Sequence, residues 1–226
     1  MREKFRQQLE EMYHQMVVMG SLCQQAIAVA VKTLEEEEEK AEGLEAQVFA
    51  LDGEIDDMER EIEALCTTLL LRQQPVAKDL RRITAALKMI TDLERIGDQA
   101  SDIAELARFI RKNASRHKHL NQMATDVAKM ISDSVEAFIH LDIDQAREVI
   151  AYDDVVDQWF DKIKSELVEQ ISSDKESGEE LLDEFMVAKY LERIGDHATN
   201  LAEWVEYAVT GVRSKDGHWT EPDNKS

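Results

Sequence analysis

Residues that break helices are scarce in this chain. Its 226 residues include 8 glycines, two prolines (Pro75 and Pro222), 2 cysteines and 6% aromatics. Leu, Ile, Ala, Met, Glu, Gln and Lys dominate instead, which is a helical composition, and no stretch argues for a sheet. Cys23 and Cys66 have neither a C-x-x-C spacing nor a nearby His that would suggest a metal site or a nucleophile. Both lie in apolar helical stretches, GSLCQQAIAVAV and IEALCTTLLL, so two buried, reduced thiols are expected, in keeping with a reducing compartment. Positive charge is short as well. With 27 basic against 48 acidic residues and a formal charge of −21, the surface field repels phosphate backbones and anionic lipid and attracts cations or basic partners. Direct nucleic-acid binding is not expected. No apolar run approaches the roughly 20 residues that span a bilayer, and MREKFRQQLEE opens a charged helix rather than a signal peptide, so a cytoplasmic location is expected. A Ser–His–Asp or Cys–His constellation, a glycine-rich phosphate loop and a basic anion pocket are all lacking, which argues against an enzyme and against binding of free phosphate.

What is present is helical periodicity. Apolar spacing and breakers predict six helices, at about 3–34, 45–72, 76–112, 116–140, 143–171 and 178–211, in two sets of three. Pro75 in RQQPVAKDL suits a first-turn position, with Asp79 near the positive helix end. Asp142 or Asp144 in HLDIDQA supplies an N-cap, and SSDKESGEE reads as a second short turn. The Glu35 to Glu39 run is compatible with a solvated helix face, a helix start held by acidic side chains, or an acidic loop. Five adjacent like charges without an apolar stripe favour a mobile, solvated connection. After Gly211 the tail RSKDGHWTEPDNKS loses periodicity and is expected to fray.

The string LERIGD occurs at Leu93 to Asp98 and again 98 positions later, at Leu191 to Asp196. Upstream acids repeat too: Asp52 and Asp56 in one half, Asp153 and Asp157 in the other, with spacing kept inside helices and residues lost only in connections. The expected architecture is all-α, two tandem three-helix bundles from an internal repeat: residues 1–113, residues 114–212, and a flexible tail at 213–226. At 100° per residue Glu94, Asp98 and Asp102 fall at about 0°, 40° and 80°, while Leu93, Ile96, Gly97, Ala100, Ile103 and Ala107 cover about 180° to 300°. The acids line one face and the core the other. Glu192, Asp196 and Asn200 repeat the line opposite Leu191, Ile194, Gly195, Ala198, Leu201 and Val205. The preceding helices carry Asp52, Asp56, Glu59 and Glu63, and Asp153, Asp157 and Asp161. Like charges at i, i+4 destabilise a bare helix by roughly 0.2–0.5 kcal/mol per pair, so cations are the obvious compensation. Two facing acidic lines make an all-oxygen site for magnesium, calcium, manganese or iron. The plainer alternative is a solvated face salted by Arg95 and Arg193. Gly97 and Gly195 each cost roughly 1 kcal/mol against Ala, and close helix approach would explain them.

LKMITDLERIGDQASDIAE and AKYLERIGDHATNLAEW, with QQPVAKDLRRI before the first, resemble the PhoU family, accessory proteins of bacterial high-affinity phosphate transport. The resemblance runs from MREKFRQQLEEM to VEYAVTG, and its signatures are E-R-I-G-D with a trailing Asp102 or Asn200 and the P-x-A-x-D-L-R element at Pro75 to Arg81. It implies two tandem three-helix bundles, often as a homodimer. It implies a cytoplasmic negative regulator of the phosphate-starvation response that works with the phosphate ABC transporter's ATPase and a sensor histidine kinase, meeting the membrane only through them. It also implies metal ions, iron or zinc among them, at Asp52, Asp56, Glu94, Asp98 and Asp102 and at Asp153, Asp157, Glu192, Asp196 and Asn200. The Glu35 to Glu39 stretch departs from the family, whose members have a shorter turn there.

Two other classes compete: a metal-binding or merely solubilised helical scaffold, and a carboxylate-bridged di-iron metalloenzyme. The latter needs two Glu-x-x-His pairs and two further Glu on four helices. Only Glu11 to His14 has that spacing, and it stands alone. His14 reads as a surface or packing residue, His117 and His119 as a basic turn, and His197 points away from the stripe's centre. Trp159, Phe160, Trp204 and Tyr207 read either as core or as partner surface.

Overall fold

The computed structural model describes residues 2–73, 75–110, 118–173 and 178–213. The described residues form six helices: α1 (Arg2–Thr33), α2 (Glu38–Gln73), α3 (Ala77–Ala107), α4 (Lys118–His140), α5 (Ile143–Ser173) and α6 (Gly178–Thr210). The repeat boundary expected at residue 113 and, apart from Arg213, the tail expected at residues 213–226 lie outside the described residues.

Three boundaries differ from the sequence expectation for local reasons. α2 begins at Glu38 rather than at residue 45, so the glutamate run is only partly a connection. Glu38 and Glu39 occupy the first turn, where unpaired N–H groups favour negative charge, and the connection shrinks to Leu34 through Glu37. Pro75 lies just before the N-cap Val76, which is extended at φ −74° and ψ 164° and makes no side-chain cap. α3 stops at Ala107 because the next amides bond three residues back, Phe109 N–H to Leu106 O at 3.0 Å and Ile110 N–H to Ala107 O at 3.3 Å. Of the two candidate caps for α5, Asp142 is the one used: its Oδ1 accepts from the amides of Asp144 and Gln145 at 3.0 and 3.1 Å. Leu141 before it takes the left-handed conformation (φ 55°), and Asp142 N–H reaches Ala137 O at 2.9 Å, closing α4 in a Schellman turn.

α1, α2 and α3 pack as one three-helix bundle and α4, α5 and α6 as another. The bundles meet along two seams, α1 on α4 and α3 on α6, while α2 and α5 touch only helices of their own repeat. Both seams run antiparallel. In one, Arg81 reaches the Val209 carbonyl and Asp92 meets His197; in the other, Tyr13 packs edge-on against Phe138 and Gln24 donates to Ala128 O at 2.9 Å. Each helix of a seam thus meets its own repeat counterpart, the pairing of an isologous, two-fold-like association within one chain.

α1 corrects one expectation. It is long and apolar enough, by length and composition, to cross a membrane. Its uncharged stretch from Met12 to Val31 is explained by packing against α2, α3 and α4, which buries Met12, Met16, Met19, Cys23, Ala26, Ile27 and Ala30. A helix covered on three sides needs a wide apolar surface. Cys23 and Cys66 are buried free thiols, and burial pushes the Cys66 thiol up to about 12.

Candidate functional site

The two acidic lines lie in the grooves between α2 and α3 and between α5 and α6, flanking the α3 and α6 seam. What brings the helices close is the glycine of each LERIGD string. A Cβ on Gly97 would come within 2.7 Å of Asp52 Oδ1 and 3.1 Å of Ile55 Cδ1. At Gly195 it would come within 3.1 Å of Val156 Cγ1 and 3.7 Å of Asp153 Oδ1. Because neither glycine has a side chain, an aspartate of the preceding helix lies against the backbone of the LERIGD helix, with the core isoleucine or valine beneath it.

In the first groove Asp52, Asp56, Glu94 and Asp98 are half-buried and face one another. Burial raises the Asp52 carboxyl above its ordinary range, and Asp98, Asp56 and Asp102 raise it further. Glu94 is raised by burial and then by Asp98, against the opposing pull of Arg95. Arg95 is bonded along its own helix, to Asp98 at 2.9 Å and Glu94 at 3.4 Å, and Arg60 likewise to Asp57 at 2.6 Å and Asp56 at 3.8 Å. These arginines supply the salting expected of a solvated face, yet Asp52 and Glu94 remain raised. In the second groove Asp153 is pushed up to about 6, by burial first and then by Asp196 and Asp157. Asp157 and Asp196, on the exposed rim, are also raised, by partial desolvation and then by Glu192. Glu63 and Asp161 are exposed at the margins.

The last member of each line belongs to the seam. Asp102 is raised by burial and by Glu105 and Asp98, while Tyr190 and Arg193 of α6 pull it down. Asn200 donates to Asp92 of α3 at 3.3 Å and accepts from Arg213 at 3.0 Å. His197, set aside on helical geometry, also bonds Asp92, at 2.9 Å. The seam contact was illegible in a single-helix wheel, because Asp92 lies on another repeat.

Two hydroxyls were missed outright. Ser101 lies beside Asp52 and Thr199 beside Asp153, each favouring the charged carboxylate. The proximity does not become a full bond: Asp52 Oδ1, Ser101 Oγ and Thr199 Oγ1 are all buried without a hydrogen-bond partner. The available signal was the repeat itself, a hydroxyl four residues after the glycine in both copies.

Chemically the grooves suit hard cations. They offer carboxylate oxygens, accumulated negative charge and an orphaned buried oxygen at Asp52, and bound cations are often the largest local charges in such a site. Among the described residues no three His, Cys, Asp or Glu side chains converge into a ready-made metal cluster. The carboxylates are aligned rather than gathered, so coordination would need side-chain turning. The Glu11 and His14 pair is exposed on α1, away from both grooves. Trp159, Phe160, Trp204 and Tyr207 are half-buried packing residues: Trp159 donates to buried Asp126 at 2.9 Å and stacks on His119, and Trp204 meets Tyr207 edge-on.

The PhoU domain family matches the chain twice, at residues 16–107 and 120–205. A phosphate-specific transport system accessory protein PhoU homolog from Clostridium acetobutylicum is 39% identical over 215 residues, covering 93% of this chain and 96% of that protein. A Thermotoga maritima homolog of the same description is 36% identical over 198 residues, covering 86% and 84%. The crystal structure of PhoU from Pseudomonas aeruginosa superposes with a TM-score of 0.82 at 35% identity, over 92% of this chain and all (100%) of the other. The phosphate transport system regulatory protein PhoU from Streptococcus pneumoniae gives 0.83 at 25% identity, over 93% and 99%. With both repeats matched and relatives aligned along almost their whole length, the chain belongs to the PhoU family.

Proposed function

We propose that this protein is a non-enzymatic accessory regulator of phosphate-specific transport. It holds back the phosphate-starvation response when phosphate is plentiful, through contacts with the transporter's ATPase and a sensor histidine kinase in the cytoplasm. The observation that carries this reading is near end-to-end similarity to proteins described as accessory to that transport system. The −21 charge suits basic partner surfaces. The test is co-purification of the full chain with the ATPase or the kinase at low and high phosphate. Retention with either supports the role; no retention with both at any phosphate level overturns it.

Within this role the grooves are cation sites. Asp52, Asp56, Glu94 and Asp98 hold one set and Asp153, Asp157, Glu192 and Asp196 the other, with Asp102 and Asn200 closing the lines at the seam. Raised carboxyls and the unpartnered Asp52 oxygen support this reading. Iron, zinc, manganese, magnesium and calcium are the ions to assay. Elemental analysis should find metal in the purified protein, lost on chelation and in a Glu94, Asp98, Glu192, Asp196→Ala variant. Equal, negligible metal in both proteins sinks the assignment and leaves a plain helical scaffold.

A further inference from the structure

Matching the repeats position by position, Asp52 and Asp56 fall on Asp153 and Asp157, which places Glu59 opposite Phe160. Glu94 falls on Glu192, which places Thr91 opposite Lys189. The outer ends of the two grooves therefore differ in a paired way. In the first, Thr91 Oγ1 lies 3.4 Å from Glu59 Oε1, and Glu59 and Asp56 both press on Glu94. In the second, Lys189 Nζ is ion-paired to Glu192, whose side chain is 16% exposed, and lies 5.3 Å from the centroid of the Phe160 ring. Phe160 is itself held against Phe185 at 5.6 Å. A carboxylate and a hydroxyl in one repeat are replaced by an aromatic ring and an ammonium in the other.

We propose that Lys189 is a tethered counter-ion filling the outer end of the second groove, so that the two grooves take cations unequally. The first binds a divalent cation at its Asp56, Glu59 and Glu94 end; the second already holds an ammonium at the equivalent place. This rests on the cation reading above. The arginines of the first groove do not play the same part: Arg60 and Arg95 are 63% and 55% exposed and screened by water, against 41% for Lys189, whose ammonium meets the Phe160 ring as well as Glu192. In the second groove the positions of Arg60 and Arg95 carry Asp161, which is acidic, and Arg193, which acts across the seam on Asp102 and along its own helix on Tyr190. Lys189 is thus the second groove's own cation, and its ammonium lies between the Phe160 ring and the shielded Glu192 carboxylate. The inner ends, Asp52 with Asp98 and Asp153 with Asp196, contain no lysine in either repeat.

The test is Mn2+ binding to the full chain, with one groove silenced by near-isosteric changes so that the other is read alone. With the first silenced (Asp52→Asn, Glu94→Gln), Lys189→Thr should tighten Mn2+ binding at least about tenfold, the scale expected for removing a unit charge a few ångströms away. Lys189→Met, which removes the charge but keeps a long unbranched side chain, should do the same if charge rather than packing is responsible. With the second silenced (Asp153→Asn, Glu192→Gln), Thr91→Lys should weaken binding by a similar factor. Circular dichroism melting checks that each variant folds. Unchanged affinity in the folded Lys189 variants overturns the proposal while leaving the cation reading intact. No Mn2+ bound by the parent protein or any variant overturns the cation reading, and the proposal with it.

Discussion

Gly97 and Gly195 occupy the same place in the two repeats but meet different neighbours, and alanine at each should separate two effects. Alanine adds about 1 kcal/mol of helix propensity, while overpacking costs about 1–3 kcal/mol. At Gly97 the new methyl meets the tips of two side chains that can turn, Asp52 Oδ1 at 2.7 Å and the terminal Cδ1 of Ile55 at 3.1 Å. Gly97→Ala should leave stability nearly unchanged and weaken cation binding. At Gly195 it meets Val156 at 3.1 Å, a β-branched side chain stiff in a helix, so Gly195→Ala should lose about 1 kcal/mol. Urea denaturation of both, with Mn2+ titration of the first, checks this; a stability loss at Gly97 as large as at Gly195 contradicts it. Asp153 makes a pH prediction. Its folded carboxyl titrates at about 6 against an ordinary 3.8, so the folded state holds the proton more tightly than the unfolded chain. The stability it contributes is full below pH ~3.8 and lost as pH rises through about 6. Asp52, Glu94, Asp157 and Asp196 are raised and act with the same sign. Metal-free protein should therefore be less stable to urea at pH 7.5 than at pH 5.5. Asp153→Asn should reduce that difference, and an undiminished slope in the variant would assign it elsewhere.

At the scale of elements, the six helices and their doubling are legible because apolar spacing marks each core face and LERIGD marks the repeat. Ends are less legible. The start of α2 depends on whether glutamates sit at a helix N-terminus or in a loop, and a run of identical residues carries no periodicity to decide it. The apolar breadth of α1 is likewise a consequence of three neighbours, which no one-helix pattern reveals. Two substitutions measure these elements. Asp142→Ala removes the carboxylate that bonds the amides of Asp144 and Gln145 and should cost about 1 kcal/mol. Phe138→Ala empties a fully buried position whose ring meets Tyr13 across the α1 and α4 seam, 5.5 Å between centroids, and should cost about 3–5 kcal/mol. Chemical denaturation ranks the two; a reversed order would place the weight on the turn rather than the seam.

For the whole molecule, the seams explain which part of the site could be read from the chain and which could not. Glu94, Asp98, Glu192 and Asp196 follow from intrahelical spacing alone. Asp92 with His197 and Asn200, and Tyr190 with Asp102, exist only because α3 lies antiparallel on α6, a relation between repeats that spacing does not encode. The same seams have a historical consequence. A chain of one such repeat would expose the faces that α1 and α3 now present to α4 and α6, and a second identical copy would cover both. The present protein has the form of that pair joined end to end. Joining removes the obligation to stay identical, since a substitution in a self-paired chain strikes both halves at once. Lysine at 189 against threonine at 91 is the kind of difference that only a linked pair can acquire.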